Sequence, residues 1–118
     1  MIAVECTICL LEQSGLFNAG RGANRQLDGV QRMDAAIMEG AHLKAGAVAS
    51  IEGIVHPITA ARMVMEDTSH VLLVGPPATR FAQHGQLEQL PKARSLRRIS
   101  GRSPNASTAA AQTMRLYQ

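Results

Sequence analysis

Leu16-Phe17-Asn18-Ala19-Gly20-Arg21-Gly22-Ala23 joins a helical segment to an extended one, and its reading decides how the chain is organised. Upstream, residues 2–13 read as a helix: Val4, Ile8 and Leu11 recur at i, i+4 and i+7, with Thr7 on the same stripe. Gly15 supplies the stop. The quoted stretch lies in a loop over residues 16–30. There Gly20 and Gly22 permit backbone angles closed to other residues, and Asp28-Gly29 signals a turn.

Downstream the period changes to two. Residues 32–38 read as a strand with Met33, Ala35 and Ile37 on one face and Asp34, Ala36 and Met38 on the other. Glu39-Gly40 ends it. Residues 45–51 form a second strand of small side chains, which lets another layer approach closely. Pro57 suits the first position of a helix reaching to about Asp67. Val71–Val74 reads as a short buried strand, and Pro76-Pro77 opens a last helix, 77–84, closed by Gly85. After Pro91 the apolar pattern dissolves into Arg, Ser, Ala and Gln, so residues 92–118 read as a disordered tail behind a 1–91 unit.

The 118 residues allow one small domain. The net charge of +3 hides a split: residues 1–91 carry six basic against nine acidic side chains, and residues 92–118 carry six basic and no acidic ones. The basic character therefore belongs to the tail, and a nucleic-acid-binding domain is excluded as a reading of the whole. The cluster Arg94, Arg97, Arg98 and Arg102 has no interleaved aromatic to stack on bases. No apolar run reaches membrane-spanning length, so no membrane partner is expected. The start lacks a positive n-region, and two cysteines suit a reducing cytoplasm.

Three blocks, Leu16 to Ala23, Met33-Asp34-Ala35-Ala36-Ile37-Met38-Glu39-Gly40 and Leu43-Lys44-Ala45-Gly46-Ala47-Val48-Ala49, resemble in order and spacing the plant-type asparaginases, or isoaspartyl peptidases. The resemblance continues through His56-Pro57, the run Ala60 to Glu66, and Ser69-His70-Val71, covering roughly residues 3–85. Those proteins are N-terminal-nucleophile hydrolases whose precursor cuts itself into α and β subunits. The resemblance implies an α+β fold, here part of a four-layer αββα sandwich. It implies hydrolysis of asparagine and β-aspartyl dipeptides by a threonine that opens the β subunit in a Gly-Thr-Val-Gly context. No such motif occurs here: Thr7, Thr59, Thr68, Thr79, Thr108 and Thr113 are internal, and none precedes Val-Gly. An N-terminal threonine uses its own α-amine as base, and an internal one has none. The chain alone is therefore expected to be inactive, with a β subunit as its implied partner, and it looks truncated at its beginning. A glycosylasparaginase-type fragment and a non-catalytic remnant or partner-dependent fragment are the alternatives.

The resemblance also implies a structural sodium ion, held by the backbone carbonyls of Leu11, Glu12, Ser14, Phe17, Ala19 and Arg21. Carbonyls at a helix end lack intrahelical partners and suit a hard cation. No other cofactor is implied. Asn18 matches the family asparagine that lies beside the nucleophile, where its amide can donate and accept together. It can equally bond its own turn. Cys6-x-x-Cys9, with no second pair, reads as two buried cysteines inside an apolar helix. His42, His56, His70 and His84 are evenly spaced in unrelated contexts, which reads as coincidence rather than a metal site.

Overall fold

The computed structural model describes residues 2–91; Met1 and the segment 92–118, with the expectation of a disordered tail, lie outside the described residues. A hairpin forms the centre. Strand β1 (Arg32–Glu39) pairs antiparallel with β2 (Lys44–Glu52), and β2 pairs in parallel with β3 (Leu72–Val74). The sheet order is β1-β2-β3. Parallel neighbours need a crossover, and helix α2 (Pro57–Asp67) supplies it. Helix α1 (Ile2–Ser14) precedes the sheet, α3 (Pro76–His84) follows it, and a single 3-10 turn covers Gly20–Gly22. The three helices and the mixed sheet make a small α+β arrangement that fits the expected hydrolase class coarsely.

Alternation along the strands sorts the core. Met33 and Ile37 of β1 and Val48 of β2 are buried with Ile58, Ala61, Val64 and Met65 of α2 and Ala78 and Ala82 of α3. Gly46 makes this packing possible: a Cβ there would collide with the Ala61 carbonyl oxygen and lie 2.6 Å from Met65 Cβ. The other face of the same sheet carries Ala36, Met38, Ala45, Ala47, Leu72 and Val74, by register and alternation. Met38 is 60% exposed, Leu72 51% and Val74 52%. β3 is thus an open edge strand rather than the buried one expected.

A bulge interrupts the hairpin between Met33 and Ala35. Opposite it Ser50 takes a positive φ of 53°, and Asp34 Oδ1 accepts the Ser50 N–H at 2.7 Å. The side chain thereby satisfies a backbone donor that the irregular ladder releases. Arg32 ties the start of β1 to the preceding loop through Asp28 (2.6 Å) and to the end of β2 through Glu52 (2.8 Å). The guanidinium beside Asp28 holds that carboxyl below its ordinary value.

Helix α1 corrects another expectation. Val4 and Leu11 are exposed, and the stripe facing the protein is Glu5, Ile8, Cys9 and Glu12. The reason is what lies opposite. The start and side of α2 present backbone N–H groups and Arg62, which need acceptors more than they need apolar cover. Glu5 pairs with Arg62, which also holds Glu66 at 2.9 Å; these two carboxylates raise the Arg62 pKa. Cys6, expected to be buried, is exposed; Cys9 is half-buried, with Sγ 3.5 Å from Thr59 Oγ1.

Candidate functional site

The end of α1, the loop to Ala23 and the start of α2 converge on Glu12. This residue is 2% exposed. Its Oε1 accepts the Ile58 N–H at 3.2 Å, and its Oε2 meets His56 Nδ1 at 3.2 Å. Pro57 begins α2, so the Ile58 amide is one of the donors a helix start leaves without an internal partner. Glu12 reaches it from another element. Burial pushes the Glu12 carboxyl pKa up, against the lowering influence of the Ile58 and His56 hydrogen bonds. Burial likewise raises the Cys9 thiol. His56 Nε2 lies 4.0 Å from Glu88 Oε2, and Glu88 is bound by Arg21. One connected polar set thus runs from the loop through Glu88 and His56 to Glu12.

The residues of the expected cation loop are gathered at this helix end. Leu11, Glu12 and Ser14 occupy the last turn of α1, Phe17 and Ala19 the bend, and Arg21 the 3-10 turn. The Leu11 carbonyl accepts the Ser14 hydroxyl at 2.7 Å, and Ala19 N–H donates to the Phe17 carbonyl at 2.8 Å. The two loop glycines act differently. Gly20 has φ 56°, and a Cβ there would crowd the carbonyl oxygens of Glu12 and Val55. Gly22 has no such angle; a Cβ on it would strike the carbonyl oxygens of Phe17 and Gly15. Its freedom from a side chain serves space, not the backbone angle expected for it. The carbonyl oxygens of Glu12, Val55, Phe17 and Gly15 thus crowd the two side-chain-free positions.

Asn18 is exposed, and its Oδ1 accepts the Asn24 N–H at 2.8 Å. The amide oxygen thereby serves the loop itself. Asn18 also borders a cleft of about 230 Å³ with Glu12, Arg32, Asp34 and Pro57. The side chain is both a strut of its loop and part of a concave wall.

The hub at Glu12 was not legible as a hub. Its signal was present: Glu5, Ile8, Cys9 and Glu12 share one helical stripe, and two acids on a stripe with apolar neighbours mark a polar docking partner. His56 stood directly before Pro57, where a helix start leaves its amides open. The other three histidines are exposed and do not join it. Among the described residues no helix is long and apolar enough to cross a membrane.

Comparison with known proteins places these features in context. A family model described as Asparaginase matches residues 1–115 and so runs beyond the 3–85 resemblance into the basic tail. The chain is 56% identical over 81 residues to a plant-type L-asparaginase of Pyrococcus horikoshii, covering 69% of this chain and 27% of that protein. It is 53% identical over 73 residues to an isoaspartyl peptidase of Salmonella typhimurium (62% and 23%). It is 43% identical over 89 residues to an isoaspartyl peptidase/L-asparaginase of Mus musculus (75% and 27%). The chain spans about a quarter of the length of these curated relatives.

Proposed function

The chain belongs to the asparaginase family, and on that premise we propose that it is part of an isoaspartyl peptidase/L-asparaginase, an enzyme that hydrolyses asparagine and β-aspartyl dipeptides. The observation that carries this is the 56% identity over 81 residues with a plant-type L-asparaginase. The names of the relatives above favour this reading over a glycosylasparaginase.

In it, this chain supplies α-side scaffold rather than the nucleophile. No threonine of the 118 residues stands in a Gly-Thr-Val-Gly context, so the nucleophile comes from a β subunit. The open sheet face with Met38, Leu72 and Val74 is where the second layer of a sandwich packs. Asn18, on the cleft wall, orients the threonine hydroxyl or amine through the amide nitrogen that Asn24 leaves free. The carbonyls of Leu11, Glu12, Ser14, Phe17, Ala19 and Arg21 hold a sodium ion that stiffens the loop behind Asn18. Free thiols at Cys6 and Cys9 suit a cytoplasmic setting.

The test is co-expression with a family β subunit beginning at its threonine, followed by an ammonia-release assay on asparagine and a β-aspartyl dipeptide. The 118-residue chain alone is expected to be inactive and the pair active. Asn18→Ala in the pair should lower kcat by about 10–1,000-fold, the scale of a lost orienting donor. Activity of the chain alone, abolished by mutating one of its own residues, would overturn the assignment.

A further inference from the structure

Cys9, Glu12 and His56 each offer one ligand atom, and these atoms all lie within 4.8 Å of one another. We propose that the three side chains form a zinc-class divalent metal site that clasps α1 to the start of α2; it shares Glu12 with the carbonyl loop but uses its side chain, and it takes no part in the chemistry of hydrolysis.

The geometry fits such an ion. Zinc bonds of about 2.0–2.3 Å place tetrahedral donors roughly 3.3–3.8 Å apart, so the cluster needs only a small contraction. Cys9 and Glu12 are i and i+3 on α1, which puts both on one face. His56 is fixed from the other side, immediately before Pro57 at the first turn of α2. The two oxygens of Glu12 divide the work. Oε1 is anchored by the Ile58 N–H, and Oε2 faces His56 Nδ1, free to turn from that nitrogen to a metal between them. With Nδ1 ligating, the ring proton sits on Nε2, which faces Glu88 Oε2 at 4.0 Å. Arg21 holds Glu88 in turn. A carboxylate behind a ligating histidine is the usual support of a metal centre. Thr59 Oγ1, 3.5 Å from Cys9 Sγ, can donate to the thiolate.

The donor chemistry selects the ion. Sulfur, imidazole nitrogen and one carboxylate oxygen form a borderline-soft set, whereas calcium, magnesium and sodium favour oxygen alone. Three protein ligands leave a fourth position for water. On binding, the Cys9 Sγ–H bond breaks and a sulfur–metal bond forms; the proton passes to solvent, and no electron is transferred. Residues 92–118 contain no His, Cys, Asp or Glu, so the tail offers no rival site of this kind.

Cobalt(II) is the probe, titrated into the reduced 118-residue chain. The expected result is a thiolate-to-cobalt charge-transfer band that saturates at one ion per chain and is removed by zinc. Cys9→Ser should abolish the band and Cys6→Ser should leave it. Glu88→Gln, which lies behind His56 and keeps an oxygen for Arg21, should weaken binding about 10–100-fold. A readout without any variant guards against misfolding: zinc should slow alkylation of Cys9 and leave Cys6 unchanged, as read by peptide mass spectrometry. The proposal is overturned by equal alkylation of Cys9 with and without zinc, by a band that disappears in Cys6→Ser, or by undiminished affinity in His56→Ala.

Discussion

On one face of β2, Gly46 and Val48 lie beneath α2; on the other, Ala45, Ala47 and Ala49 of the same strand stay half-buried beside exposed Met38, Leu72 and Val74. The residues are similar in size and equally apolar. What differs is the partner. The first face is a finished interior in which even a methyl group at Gly46 has no room. The second is an apolar pavement with nothing of the described residues against it. Apolar content alone therefore does not mark a core; the tightness of backbone approach does.

That contrast yields measurements. The largest effect is expected for Ile51→Ala, since Ile51 is fully buried. Loss of about 2–5 kcal/mol should be visible as a lower urea midpoint, and a loss below about 0.5 kcal/mol would show that the packed face is not the stabilising one. Next comes Gly46→Ala. The collision with the Ala61 carbonyl should cost about 1–3 kcal/mol, although alanine is the residue common on the opposite face. A neutral or stabilising result would break the comparison at its clearest point.

The third prediction concerns pH. Burial holds the Glu12 carboxyl above its ordinary value of 4.5. The folded chain therefore keeps this proton over a range in which the unfolded chain has lost it. The stabilising contribution is complete below the ordinary value and declines as pH rises through the raised one. Glu12→Gln removes that decline. The melting temperature of wild type minus that of the variant should fall as pH rises above the ordinary carboxyl value of 4.5; a difference independent of pH would refute the burial argument. The smallest change in stability is expected for Leu72→Lys on the open face, within about 0.5 kcal/mol. Its effect should appear instead in sedimentation, as weaker self-association of the isolated chain, because the substitution places a charge on the exposed apolar edge.

The sequence made the elements legible wherever a single period ran unbroken. Both long strands and α2 fall within a residue or so of expectation, because alternation in Met33-Ala35-Ile37 and the proline at residue 57 are local signals. Burial was less legible. β3 reads as buried from Val71-Leu72-Leu73-Val74, but its surroundings are set by whatever covers the sheet, which no local pattern reports. The same holds for α1, where Val4 and Leu11 formed the apolar stripe and Glu5 and Glu12 took the inward places. The candidate site was half legible. The loop glycines stood out as turn residues and Asn18 through the family resemblance, whereas His56 joins Glu12 only through a contact 44 residues long. The bulge at Asp34 and Ser50 had no signal in either segment alone.

The Glu12–Ile58 hydrogen bond also bears on time. It joins residues 46 apart, while the β1–β2 hairpin closes over a four-residue connection. Closing a long loop costs more chain entropy than closing a short one, and contacts of high sequence separation are the slow ones to form. The hairpin and α2 thus come before the clasp in the order of folding. The Leu16–Ala23 loop, hung from the end of α1, takes its final shape only when residue 12 finds the amide of residue 58. The loop that carries Asn18 is therefore expected to be ready last.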